Sequence, residues 1–218
     1  MRPVILSFLL AILVVEPAFA QHYQPPPNPL YQPLKSATER ALTRARRLDN
    51  DKAYAAAIVE YDKVLAQQPQ FARALAERAF VKESLGDYEG AMRDHDEVLR
   101  LAPDRANSWS HAGWIRALRN IELDEALAYS QKAVALEPGD DPVDTRGFVR
   151  FRRGEWKEAL ADYDAVLKAY PQTATTLYMR GVVKARMGDP AGGEVDLQRA
   201  LKLNKEIGEF WTRRGVTP

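Results

Sequence analysis

Any chemistry in this chain would have to come from carboxylates and three histidines, His22, His95 and His111, because there is no cysteine. Thiolate catalysis, disulfides and cysteine-based zinc sites are thereby excluded. The densest group of potential ligands is Asp94-His95-Asp96-Glu97. On a helix Asp94 and Glu97 share a face while His95 points elsewhere. No second histidine stands at helical spacing to complete a metal site, so His95 reads as a core residue. His111 precedes Trp114 by three residues and can reach a shared surface, but one imidazole without an oriented partner is not a catalytic constellation. Gly139-Asp140-Asp141 reads as a turn. With no nucleophile motif and no phosphate loop, the expectation is a protein that is not an enzyme and holds no metal or cofactor.

Charge narrows the partners further. The 218 residues carry 31 Lys+Arg against 30 Asp+Glu, a net charge of +1. Both signs are interleaved, which gives no field to hold a polyanion and argues against nucleic acid. Residues 1–20 read as a secretory signal peptide: Arg2, an apolar run from Val4 to Val15, then Ala18-Phe19-Ala20 as a small-x-small cleavage site. The run is short of the roughly 18–20 residues needed to span a bilayer, and no cysteine follows it to carry a lipid. The expected mature chain starts at Gln21, inserts in no membrane and lies outside the cytoplasm, in a bacterial periplasm. Residues 21–37, with Pro25, Pro26, Pro27, Pro29 and Pro33, read as a stiff disordered linker.

What must position any site is a repeat. Pro69, Pro103, Pro138 and Pro171 are spaced by 34, 35 and 33 residues. With each proline at position 32 of a unit, position 8 is small throughout (Ala45, Ala79, Gly113, Gly147, Gly181), and so is position 20 (Ala57, Ala91, Ala126, Ala159, Gly193). Position 24 holds Tyr61, His95, Ser130, Tyr163 and Leu197, and position 15 carries Gly86, Gly154 and Gly188. These columns describe two antiparallel helices per unit. Small residues allow close approach, the residue at 24 fills the gap, glycine turns the chain and proline ends the second helix.

The segments LGDYEGAMRDHDEVLRLAP (85–103) and RGEWKEALADYDAVLKAYP (153–171) resemble the second half of the tetratricopeptide repeat. The resemblance covers units 38–71, 72–106, 107–139, 140–173 and 174–207, with a partial helix in 208–218. Lys52 and Ile121 stand where the turn glycine is expected in units one and three, and Lys205 replaces the last proline. The resemblance implies an all-α, right-handed superhelical solenoid of helix pairs, whose first helices line a concave groove that binds a protein or peptide. Family members that clasp a terminal carboxylate use Lys, Asn and Arg at set groove positions. No three consecutive units here offer that set, so this activity does not carry over.

Two further patterns concern the first helices. Position 7 is Arg44, Arg78, Arg146 and Arg180, and position 23 is Glu60, Asp94, Asp162 and Asp196, whereas unit three has Ala112 and Tyr129, losing both together. The joint loss predicts an Arg–carboxylate pair inside each of the four units, worth about 0.2–1 kcal/mol if exposed. In the resemblance, positions 5, 9 and 12 face the groove. Phe80, Trp114, Phe148, Phe151 and Tyr178 are then expected to line it, with Arg73, Asp141, Arg152 and Arg186 as a charged rim. The expected function is a non-enzymatic adaptor holding a partner's peptide or helix; the alternative is a module that stacks an envelope glycan on the same rings.

Overall fold

The computed structural model describes residues 36–218. The expected signal peptide and all but the last two residues of the expected linker lie outside them; Ser36 and Ala37, read as linker, already belong to the first helix. Eleven helices follow among the described residues: α1 (Ser36–Asn50), α2 (Tyr54–Gln67), α3 (Ala72–Leu85), α4 (Tyr88–Leu101), α5 (Ala106–Arg119), α6 (Leu123–Leu136), α7 (Asp140–Arg153), α8 (Trp156–Ala169), α9 (Ala174–Arg186), α10 (Pro190–Leu203) and α11 (Ile207–Thr212). No strand occurs among these residues, and consecutive helices pack in pairs, each second helix then against the next first helix. The architecture is an all-α solenoid of helix pairs.

Local chemistry sets the ends. α2, α4, α6 and α8 each stop two residues before a repeat proline, because the residue preceding proline is pushed out of the helical region. Gly86 and Gly154 take the left-handed turn after α3 and α7. Lys52 takes it in unit one, and in unit three the left-handed residue is Asn120, with Glu122 behind it, rather than Ile121. Asparagine tolerates that conformation better than other side chains, so the one residue by which the Pro103–Pro138 spacing exceeds 34 is absorbed there. Asp87 and Asp189 cap α4 and α10 by accepting from the backbone N–H of Gly90 (2.9 Å) and Gly192 (2.8 Å).

The small-residue columns are where the two helices of a pair touch. A Cβ placed on Gly181 would lie 2.8 Å from the Gly193 carbonyl oxygen, and one on Gly113 would lie 3.0 Å from that of Ala126. Beside this contact sits the Arg–carboxylate column. Arg44 pairs with Glu60 at 3.1 Å, Arg78 with Asp94 at 2.6 Å, Arg146 with Asp162 at 2.6 Å and Arg180 with Asp196 at 2.7 Å. The four carboxylates are buried, and each takes a second cation: Lys63, Lys82, Arg150 and Lys184 respectively. Removing a cation would therefore leave a buried charge undercompensated, a larger penalty than at an exposed pair. Unit three solves the same place differently. Buried Arg116 bonds Asp96 of the preceding unit at 2.9 Å and Glu122 at 2.9 Å, and its guanidinium lies 4.9 Å from the Tyr129 ring.

Because a Cβ on Gly181 would meet the Gly193 carbonyl oxygen as well as the Leu197 side chain, Gly181→Ala is expected to force α9 from α10, costing about 1–3 kcal/mol. Thermal unfolding would show this as a Tm lowered by roughly 3–10 °C; an unchanged Tm would mean the pair can open freely.

Candidate functional site

Three of the first helices bring aromatic rings to the concave side of the solenoid. Trp114 of α5 and Phe148 of α7 meet with ring centroids 4.6 Å apart, and Trp211 of α11 rests on both, at 5.9 Å and 5.3 Å. Trp211, Ile207 and Val216 are buried. The Arg152 guanidinium donates to the Arg214 carbonyl oxygen (2.5 Å) and that of Arg186 to the Thr217 carbonyl oxygen (3.2 Å). Arg214 itself lies 3.6 Å over the Phe210 ring and pairs with no position-23 acid; Asp196 is held by Arg180 and Lys184. The C-terminal segment of the chain thus lies across the faces of α5, α7 and α9.

This corrects the expected groove. Phe148 is fully buried, and Phe151 and Tyr178 are buried with it in one core cluster, Tyr178 close to Gly208. Their rings are covered by the chain's own C-terminal segment and neighbouring helices, so they line no open surface. Arg152 and Arg186 hold that segment and do not form a rim. Arg73 pairs with Glu77 one turn along its own helix at 3.0 Å, and Asp141 is exposed. Phe80 remains open at 39% exposure and Trp114 partly so. Phe148 turns inward because α5 and α7 approach closely on the concave side. The partial helix expected in 208–218 is α11, and Trp211 is the residue in it whose size signals a plug.

What stays open is a cavity of about 410 Å³ between α3, α5, α7 and the start of α9, within the size range of ligand sites. Phe80 and Trp114 bound it with His111, Ser110, Asp144 and Thr176. On its α3 side buried His95 bonds Glu83 through Nε2 at 2.8 Å, and His111 stacks on His95 with centroids 5.8 Å apart. Burial, then the neighbouring His95, pulls His111 down to about 4, with Glu83 opposing, so the ring is neutral at pH 7. The Thr176 hydroxyl donates to Asp144 Oδ1 at 2.6 Å. Burial pushes Asp144 up to about 6; the Thr176 bond opposes this, and the charges of Asp141, Asp140 and Asp162 add to it. Among the described residues no three His, Asp or Glu groups converge as a metal site.

No protein-family model and no curated protein matches the chain. Solved structures do. MamA from residue 41 to its end, from Desulfovibrio magneticus RS-1, superposes with a TM-score of 0.69 at 14% identity, over 80% of this chain and 98% of that one. PilW, described as a widely conserved type IV pilus biogenesis factor, gives 0.71 at 18% identity over 83% and 87%. YrrB, described as a TPR protein with an unusual peptide-binding site, gives 0.60 at 21% identity over 81% and 91%. The fold is a tetratricopeptide-repeat array. Within that array the second helices form the outer layer, and the groove just described is the inner surface of the first helices.

A carboxyl group whose pKa is raised by folding binds more protons in the folded state between its two pKa values, so it costs stability as pH rises from about 4 to about 6. His111, lowered by folding, acts oppositely: its contribution is lost as pH falls from 6.5 toward 4. Comparing Asp144→Asn with the parent cancels the histidine. The variant keeps an acceptor for Thr176 and is expected to melt at least about 2 °C higher at pH 7, a gain that disappears near pH 4. A lower Tm at pH 7 would contradict the assignment.

Proposed function

We propose that this protein is a non-enzymatic adaptor outside the cytoplasm, which holds a peptide or helical segment of a protein partner on the concave face. The observation that carries this reading is that the groove already holds a helix of the same chain. α11 docks by one aromatic anchor, Trp211, between Trp114 and Phe148, while Arg152 and Arg186 grip backbone carbonyls of the segment that follows. This is the helix-in-groove mode, in which an apolar anchor fills a cleft and polar groups fix the direction. The open stretch beside it, from Phe80 to Asp144, offers continuing surface for a second segment.

The location rests on residues 1–20, whose pattern is that of a secretory signal. The likeness to PilW, itself described as a pilus biogenesis factor, and to YrrB, described as having a peptide-binding site, agrees with this role. No helix among the described residues is long and apolar enough to cross a membrane. The glycan alternative needs open ring faces for sugars to stack on, and three of the five expected rings are covered, which favours the peptide.

Selection of a random peptide library on the full chain tests the reading. Enriched peptides are expected to lose at least tenfold in affinity with Phe80→Ser, an exposed change that leaves Tm within about 2 °C. Failure to enrich any sequence, or peptides indifferent to Phe80→Ser, would reject it.

A further inference from the structure

The fold neutralises its buried carboxylates with care, and the half-buried Asp144 has no such cationic partner. Glu60, Asp94, Asp162 and Asp196 each have at least two cationic partners. Asp144 has a threonine hydroxyl on one oxygen and the carboxylates of Asp140, Asp141 and Asp162 nearby. It lines the 410 Å³ cavity, whose walls include Glu83, Asp140 and Asp141 and no lysine or arginine, while the cavity's one histidine is neutral. Asp140 and Asp141 stand in the first turn of α7, where the helix dipole favours negative charge; Asp144 lies one turn further along, beyond that benefit. A second observation points into the same cavity. Ser110, one of the residues lining the cavity, is only 6% exposed, and its Oγ has no hydrogen-bond partner among the described residues. Buried hydroxyls are ordinarily satisfied. Trp114 and Phe80 line the same cavity as the carboxylates, the mixed aromatic and acidic surroundings a cation on an aliphatic stem prefers.

We infer that this cavity is a subsite for an organic cation, the guanidinium or ammonium of an Arg or Lys side chain on the bound peptide. The inference rests on the peptide-binding reading and adds its chemistry: the partner segment carries a basic residue that enters between α5 and α7. The cation supplies the counter-charge Asp144 lacks and donates to Ser110 Oγ, as charge-assisted bonds do best when partly shielded from water.

The test is an NMR titration of the ¹⁵N-labelled protein with Ac-Gly-Arg-Gly-NH₂ and with the same peptide carrying citrulline, the uncharged isostere of arginine. The arginyl peptide is expected to shift the amides of Ser110, His111, Asp144 and Thr145 and to bind at least tenfold tighter than the citrullyl one. Asp144→Asn should remove that preference, and Asp141→Asn, at an exposed position, should weaken it two- to fivefold. Equal binding of both peptides overturns the cation subsite while leaving the peptide groove standing. If neither peptide binds and library selection also yields nothing, both readings fall. Spermidine shifting these amides while the arginyl peptide does not would overturn the peptide as the source of the cation.

Discussion

Everything in this molecule depends on how closely the two helices of each pair approach at their small residues. Where Gly181 faces the Gly193 carbonyl, and where Ala79, Ala91, Ala126 and Ala159 are wholly buried, nothing larger than a methyl group separates the backbones. That approach excludes water from the adjoining positions. The carboxylates at Asp94, Asp162 and Asp196 are consequently buried and must be neutralised from within, by Arg78 with Lys82, Arg146 with Arg150 and Arg180 with Lys184. Ion pairs that would be weak on a surface become a condition of packing, and Arg116 with Tyr129 shows a second solution to that condition.

The same tight pairing shapes the concave side. α5 and α7 draw close to one another and leave no room there for an open groove lined by large rings, so Trp114 and Phe148 pack together and accept Trp211 from the end of the chain. The groove is thereby divided. Its C-terminal part is filled by a helix of the chain itself; its N-terminal part stays open, polar and acidic around Asp144 and Ser110. One surface shows both the manner in which a segment docks and the charge that a second segment would need.

Much of this was legible in the residue columns. The prolines at 69, 103, 138 and 171 mark the helix ends because proline acts locally, and the shared loss of Arg and acid in unit three exposed a contact sixteen residues apart. Position 11 was missed as a second cation column because Lys82, Arg150 and Lys184 alone do not reveal which carboxylate they reach. The groove aromatics were misplaced for a longer-range reason. Whether Phe148 is open or covered depends on where residue 211 returns in space, and periodicity within a unit carries no information about a contact 63 residues away. Asp144 gave no signal either, since its place beside Thr176, with no cationic partner among the described residues, arises only when α7 and α9 meet.

The most direct test uses the absence of cysteine in the chain. Nitroxides placed on Thr212→Cys and Asn107→Cys, both exposed positions, report the distance between the C-terminal helix and the open end of the groove by double electron–electron resonance. If α11 is seated in the groove, the distribution is a single narrow peak that broadens with Trp211→Ala. A broad distribution in the parent protein, unaffected by Trp211→Ala, would contradict the account.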